Sequence, residues 1–277
     1  QDVGEYDRIE EHGLHVWLGF YENAFRIIQK VYKDLGRSAD EPFSTWDKAF
    51  SGHNFLGVAD DHGGEWHPCL FDIPAKTSVP GDPEPIPSLS DCRMKALTWL
   101  LSTGWANISD ALGIEILKQI TPFVHPIGSP GVAANFDEAE DQQLIRLLAI
   151  LVPHIDNLLA QRAPDGSQWR CYMVLMSMVA TMLIGVVKDG IRSSADLYKL
   201  EDIDFAKWLE KHGASKHVYV VKDNPFLRGM YDFAFAYEGG DTAKPSFSAS
   251  PALRTIYRMC LTYKGSIFYK MEAGMGD

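Results

Sequence analysis

Residues 168–188 read QWRCYMVLMSMVATMLIGVVK and form a nearly continuous apolar stretch within this chain of 277 residues. No charged residue occurs between positions 171 and 187. A helix that spans a membrane needs about 20 apolar residues. The run is shorter than that, and Ser177, Thr181 and Gly185 dilute it further. The stretch therefore predicts a central helix buried in a protein core, with a membrane-associated helix as the alternative.

Helical periodicity continues on both sides of this stretch. Residues 137–161 repeat Leu and Ile at helical spacing, and Pro153 within them predicts a kink. Further helices are predicted over 25–35, 91–106 with Asp91 as N-cap, 109–124 with Ser109 or Asp110 as cap, 203–212, 224–237 and 251–263.

A hairpin interrupts the helical pattern. Two apolar runs flank the turn Asp60-Asp61-His62-Gly63-Gly64, and the proline-rich residues 74–90 predict an irregular loop after them. The fold class expected is mainly α (α+β). We expect one helical domain over residues 1–277, with a small antiparallel β element near residues 54–73.

Composition excludes some partners and predicts a location. The net charge of −11 and the pI of about 5.3 would repel a phosphate backbone, so nucleic acid is not expected as a partner. The four cysteines contain no Cys-x-x-Cys pair, which argues against structural zinc. Cys171 and Cys260 are predicted to be buried thiols in a reducing compartment. The polar, acidic residues 1–12 predict no secretory signal.

Two familiar catalytic patterns are missing from the sequence. No Gly-x-Gly-x-x-Gly follows a strand, so a complete dinucleotide-binding fold is not expected. Gly-x-Ser-x-Gly is also absent, which leaves a hydrolase elbow unsupported.

His12 and His15 form a His-x-x-His pair, but no third ligand is nearby, so we expect no metal site. Gly13 could instead let the backbone approach a flat ligand that His15 faces. The alternative is that His15 is a buried, hydrogen-bonded histidine.

Residues 13–28 read GLHVWLGFYENAFRII and contain, in order, Gly13, Leu14, His15, Gly19, Tyr21 and Asn23. Three later patches are LEDIDFAKWLEKHGAS (200–215), YDFAFAYEGGD (231–241) and YKGSIFYKMEAGMGD (263–277). These four patches resemble FAD-dependent enzymes of the amine-oxidase superfamily related to zeta-carotene desaturase, in which Gly-Leu-His, Gly, an aromatic residue and Asn recur in that order.

The resemblance implies a substrate-binding insert of a carotenoid-desaturase-like flavoprotein oxidoreductase. FAD would be held mainly by a segment or subunit outside this chain, because the glycine-rich fingerprint is missing. His15 would lie near the junction of flavin and substrate, and Tyr21, Tyr237 and Lys270 would contact the substrate. Gly13 and Gly274 would give the cofactor a permissive backbone. The substrate would be an apolar isoprenoid or polyene, or an amine, oxidised by hydride transfer to the flavin.

This hypothesis makes a geometric prediction. An insert must return to its host, so residues 1–20 and 263–277 should meet, with an apolar cavity opening toward them. The chain alone is not expected to be active. The alternative is a non-catalytic helical module that binds an apolar ligand or docks on a partner protein. The expected location is cytoplasmic, with peripheral membrane contact as a further expectation.

Overall fold

The computed structural model describes residues 15–62, 65–83, 87–124, 138–162 and 167–273. The fold is mainly α: 59% of it is helical, with a small antiparallel β component, which confirms the predicted class. The described strands are β1 (Val16–Leu18), β2 (Phe50–His53), β3 (Phe55–His62), β4 (Glu65–Asp72) and β5 (Phe268–Met271). The described α-helices are α1 (Glu22–Leu35), α2 (Trp46–Ala49), α3 (Leu89–Asn107), α4 (Ala111–Ile120), α5 (Glu138–Arg162), α6 (Gln168–Lys188), α7 (Phe205–Lys211), α8 (Lys216–Tyr219), α9 (Pro225–Phe233) and α10 (Ala249–Ile256).

The chain divides into two compact units. The first comprises residues 1–56, 72–86 and 258–277, and the second comprises residues 57–71 and 87–257. That residues 1–277 form one substrate-binding domain stays a prediction.

The core of the second unit is built around α6. This helix packs against α3, α5, α7 and α8. Its side chains Met173, Val174 and Met176 are fully buried and join the core that α3, α4 and α5 complete. The predicted bounds of α6 agree with the structure, and the apolar run fills a helix whose neighbours cover most of its circumference.

Helix α6 and the predicted helix 137–161, now α5, also bear on the membrane alternative. Both are long and apolar enough to cross a membrane by length and composition alone. Core helices of soluble proteins pass the same test, and 67% of the apolar window of α6 is buried. The two helices thus allow membrane association only weakly.

Helix α3 begins two residues earlier than predicted. Ser88, rather than Asp91, is its N-cap, and the Ser88 hydroxyl accepts a hydrogen bond from the Asp91 amide. The Asp91 carboxylate accepts in return from the backbone N–H of Ser88 at 2.9 Å. Asp91 therefore occupies the third helical position of a capping box, where its charge is also favourable.

The hairpin near residues 54–73 is confirmed by β3 and β4, which form a two-stranded sheet. A disulfide joins Cys69 of β4 to Cys171 of α6, with the two Cα atoms 5.9 Å apart. The prediction that Cys171 is a thiol is therefore wrong. Its apolar surroundings were identified correctly, but the pairing depends on a strand that lies 102 residues away in sequence.

Further contacts hold the hairpin beside the start of α6. The Arg170 guanidinium donates to the Asp60 carboxylate at 3.0 Å, and both side chains are buried. The Gln168 amide side chain donates to the Leu70 carbonyl at 2.7 Å and accepts from the Leu70 N–H at 2.9 Å. Gln168 therefore pairs with both the backbone N–H and the carbonyl of Leu70, as a neighbouring strand would.

The first unit contains a three-stranded antiparallel sheet that the sequence analysis missed, with strand order β1-β5-β2. A cluster of aromatic rings packs against it. Phe25 of α1 is fully buried, and its ring meets those of Tyr269 and Trp17 edge-on at 4.9 and 5.3 Å between centroids. Phe25 thus packs against both the sheet and Trp46 of α2, whose ring lies 5.9 Å from that of Phe25.

Candidate functional site

The strands β1 and β5 bring two distant parts of the chain side by side. Val16 lies opposite Lys270, Trp17 opposite Tyr269 and Leu18 opposite Phe268. The pairing continues past β1, because the Gly19 amide donates to the Ile267 carbonyl at 2.9 Å. We take this strand pair and the loops that extend it as the candidate site.

Two glycines allow the backbones of this site to approach closely. A Cβ atom on Gly19 would lie 2.1 Å from the Ser266 carbonyl oxygen, so any side chain there would displace the 264–266 loop. Gly265 has a φ of +59°, and a Cβ on it would lie 2.0 Å from the Tyr269 hydroxyl. That hydroxyl accepts from the Ser266 amide at 3.0 Å, which locks the turn before β5.

A buried lysine anchors the same loop. Lys264 is only 6% exposed, and its ammonium donates to the Glu22 carboxylate at 3.0 Å and to the Asp82 carbonyl. Its backbone N–H donates to the Gly19 carbonyl at 3.0 Å. Lysine is rarely buried unless its charge is paired, as it is here. Lys264 was not among the predicted site residues, although its place between Tyr263 and the aromatic pair Phe268-Tyr269 was a usable signal.

A second lysine, Lys76, contacts Tyr263, the residue that precedes Lys264. Its ammonium lies 3.5 Å from the centroid of the Tyr263 ring and donates to the Tyr263 carbonyl at 2.8 Å. The Tyr263 hydroxyl donates to the Pro74 carbonyl at 2.5 Å. These contacts hold the proline-rich segment against the residues that precede β5.

Three of the predicted site residues lie in this unit. His15 directly precedes β1, is half-buried and has a φ of +44°, which is uncommon for a residue other than glycine. In sequence it comes just before Val16, the residue that pairs with Lys270. Lys270 is exposed, and Tyr21 is 40% exposed at the start of α1. Gly13 and Gly274, the predicted cofactor contacts, lie outside the described residues, as does His12.

Tyr237 belongs to the second unit. Its hydroxyl donates to the Asp232 carboxylate at 2.5 Å, and burial together with this carboxylate raises the pKa of Tyr237 to about 12. The phenol is therefore protonated at neutral pH and would act as a hydrogen-bond donor.

A polar network near the end of α6 was also not anticipated. The Asp189 carboxylate accepts from the Trp208 indole at 2.8 Å, from Lys211 at 3.1 Å and from His212 at 2.9 Å. Burial lowers the pKa of His212 although Asp189 opposes the shift. A Cβ on Gly185 would lie 2.4 Å from the Trp208 ring, so the glycine in the apolar run makes room for this indole. The network joins α6 to α7.

Among the described residues, Asp60, Cys69 and Cys171 are the one group of three whose ligand atoms lie close enough for a metal ion. The two sulfurs are already joined in the disulfide, and the carboxylate is paired with Arg170. The positive charge of the Arg170 guanidinium, 3.0 Å from the Asp60 carboxylate, disfavours a bound cation there. The group therefore acts as a crosslink with an ion pair beside it.

A groove of about 680 Å³ lies on the first turns of α5 and is lined by Glu138, Ala139, Gln142, Gln143 and Arg146. Four of its five lining residues carry charged or amide groups, unlike the aliphatic and aromatic side chains expected around an isoprenoid. The apolar cavity that should open toward residues 1–20 and 263–277 stays a prediction.

Comparison with protein-family models, with curated proteins and with solved structures finds no match.

Proposed function

We propose that this chain is the substrate-binding domain of an FAD-dependent oxidoreductase of the carotenoid-desaturase-like type. The supporting observation is the antiparallel pairing of β1 with β5, in which Val16 lies opposite Lys270. An inserted domain leaves its host and re-enters it at neighbouring points. The pairing of residues around positions 16 and 270 agrees with this requirement and supports the proposal.

The turn that follows β1 lacks the features by which a dinucleotide such as FAD is usually held. A dinucleotide needs a glycine-rich turn whose backbone N–H groups reach the pyrophosphate at the start of a helix. The turn between β1 and α1 has a single glycine, Gly19, and the Ser266 carbonyl already fills the space beside it. In the proposal, FAD is therefore held by a segment or subunit outside the described residues. This chain supplies substrate contacts, for which Tyr21 and Lys270 are exposed.

The proposed substrate is an apolar isoprenoid or polyene, or an amine, and hydride transfer to flavin is the proposed reaction. His15, held half-buried beside β1, is the proposed contact near the flavin. The cytoplasmic location and the peripheral membrane contact also stay proposals. The Cys69–Cys171 disulfide is more typical of an oxidising compartment. Cell fractionation combined with thiol labelling distinguishes the two compartments.

Ligand binding by the purified chain tests the proposal. We expect the protein to be colourless and not to retain FAD in equilibrium dialysis, but to bind a polyene saturably, measured by a shift in polyene absorbance. Tyr21→Ala should weaken polyene binding by roughly tenfold, the equivalent of burying part of one aromatic side chain. Tyr198→Ala is the matched control, since Tyr198 is an exposed tyrosine of the second unit.

Three outcomes would contradict the proposal. A yellow protein that retains FAD would mean that the chain holds the cofactor itself. Failure of both a polyene and an aryl amine to bind saturably would remove the substrate-binding role. Equal losses in Tyr21→Ala and Tyr198→Ala would remove the assigned place of binding.

One observation favours the alternative of a non-catalytic docking module. Ile27, Val31 and Leu35 of α1 are 64%, 42% and 55% exposed. At a spacing of four residues they form one apolar face of the helix. Val31→Lys should abolish docking on a partner and leave polyene binding unchanged. Size-exclusion chromatography with light scattering measures the first effect, and the absorbance titration measures the second.

A further inference from the structure

Two contacts fix the register of the β3–β4 hairpin. The Ile73 amide donates to the Asn54 carbonyl at 2.8 Å, immediately beyond the ends of the two strands. Within the strands, a Cβ on Gly57 would lie 3.4 Å from Leu70 Cδ2, so these two residues are opposite each other. Both contacts give the same register, in which position 60 lies opposite position 67.

This register places Asp60 and His67 side by side. Directly opposite residues of an antiparallel pair project from the same face, with Cβ atoms about 4.5 to 5.5 Å apart. Cys69, two residues after His67, projects from that face too, because side chains alternate along a strand. Asp60 and Cys69 are buried, and His67 is half-buried. The disulfide from Cys69 to Cys171 shows that this face is turned toward α6.

Three potential ligand atoms of this group lie close together. An oxygen of the Asp60 carboxylate and the Sγ atoms of Cys69 and Cys171 are all within 4.8 Å of one another. A tetrahedral zinc ion holds thiolate sulfur at about 2.3 Å and carboxylate oxygen at about 2.1 Å, so its ligand atoms are about 3.6 to 3.8 Å apart. The three atoms can therefore share one ion once the sulfur–sulfur bond is open.

The oxidation state of the two cysteines decides whether a cation fits. In the disulfide form the sulfurs are neutral, and the Arg170 guanidinium beside the Asp60 carboxylate opposes a cation. As thiolates, Cys69 and Cys171 add two negative charges to that of Asp60. A zinc ion and Arg170 together then neutralise the buried group. Arg170 would also orient the carboxylate, as outer-shell partners of zinc ligands do.

We propose that the reduced chain binds one Zn²⁺ ion through Cys69, Cys171, Asp60 and His67, in place of the disulfide. His67 supplies the fourth ligand by rotating its imidazole from the position opposite Asp60. A dithiol reductant gives two electrons and two protons to the disulfide, which becomes two thiols, and is itself oxidised to a disulfide. Zinc binding then releases both thiol protons to solvent. The ion would link the hairpin to α6, so that this crosslink persists in a reducing compartment.

Zinc binding by the full chain in its two redox states tests the site. The chain is reduced with a phosphine in urea, refolded without oxygen, freed of metal with a chelator and titrated with ZnCl₂ by calorimetry. We expect one ion per reduced chain. Zn²⁺ at one hundred times its Kd raises the folding equilibrium constant about a hundredfold, or about 6 °C in the thermal midpoint for a chain of this size. The oxidised chain should show no such rise.

Cobalt and matched variants identify the ligands. Co²⁺ in place of zinc should give the charge-transfer absorbance of thiolate ligands. Cys171→Ser should abolish this absorbance and the zinc response, whereas Cys260→Ser, at a cysteine outside the disulfide, should keep both. His67→Ala should weaken zinc binding by at least about tenfold, since loss of an outer-shell partner alone costs that much. His53→Ala, at an exposed histidine, is its control and should keep the affinity.

Several results would overturn the proposal. Equal midpoints of the reduced chain with and without zinc would do so, as would equally strong zinc binding by the oxidised chain. Thiolate absorbance that is absent with Co²⁺, or that persists in Cys171→Ser, would exclude the two sulfurs as ligands. An unchanged affinity in His67→Ala would overturn the four-ligand site. If Cys171→Ser does not fold, the cobalt spectrum of the reduced wild type still decides.

Discussion

Replacing Cys69 and Cys171 together by serine removes the covalent link between β4 and α6. The two cysteines are 102 residues apart in sequence, so the link closes a long loop in the unfolded chain. In the chain-entropy description, a crosslink of this span removes about 16 cal/mol/K from the unfolded ensemble, or about 4.7 kcal/mol at 25 °C. We therefore expect the free energy of unfolding to fall by about 3 to 5 kcal/mol.

The native fold should survive this change, because other contacts hold the hairpin to α6. Arg170 keeps its buried ion pair with Asp60, and Gln168 keeps both hydrogen bonds to Leu70. Urea unfolding followed by circular dichroism measures the loss of stability. Mass spectrometry after alkylation of the unfolded, unreduced protein should find two modified thiols, those of Cys92 and Cys260.

The matched control is Cys260→Ser, which changes a cysteine outside the disulfide and should leave the unfolding free energy nearly unchanged. Dithiothreitol should destabilise the wild-type protein and Cys260→Ser alike, and should leave the double variant unaffected. Four alkylated thiols in the unreduced protein, or a double variant as stable as the wild type, would refute the reasoning.

The remaining predictions concern the candidate site and the network at α7. Gly265→Ala forces a side chain into a φ of +59° against the Tyr269 hydroxyl, so we expect a loss of about 1 to 3 kcal/mol and faster hydrogen exchange in β5; unchanged exchange would contradict this. Burial raises the pKa of Asp189, but the hydrogen bonds that its carboxylate accepts lower this pKa by more than burial raises it. The pKa of Asp189 in the folded state is therefore below its unfolded value. Its stabilisation is present above pH of about 4 and is lost as pH falls through the lowered pKa. Urea unfolding of Asp189→Asn should then depend less on pH below about 4, and an identical profile would contradict the assignment.

Local pattern was enough to predict most of the second unit. The apolar run gave the bounds of α6 because a helix covered on most sides needs apolar residues around its whole circumference. The predicted helix 224–237 ends earlier, at Phe233, because Phe235 has a φ of +50° that no helix continues. The N-cap of α3 could not be predicted in this way, because Ser88 and Asp91 are both favourable cap residues and the backbone conformation decides between them.

The sheet of the first unit could not be predicted in the same way. β1 is three residues long and β5 four, which is too short for a clear alternating pattern. Their pairing joins Val16 to Lys270 across nearly the whole chain, and no local signal reports such a contact. The site shows the same limit. His15 and Lys270 were identified separately by resemblance, but the role of Lys264 is visible only when Glu22 and Asp82 meet it in the folded chain.

The pairing of β1 with β5 also constrains the order in which the protein folds. During synthesis, β1 and β2 leave the ribosome more than 200 residues before β5, their shared partner in the middle of the sheet. Until β5 has been synthesised, the sheet is incomplete around the side chains of Trp17, Phe25 and Phe50. Contacts of such long sequence separation form slowly and expose apolar surface in the meantime. The first unit is thus expected to be the late-folding, chaperone-dependent part of the chain.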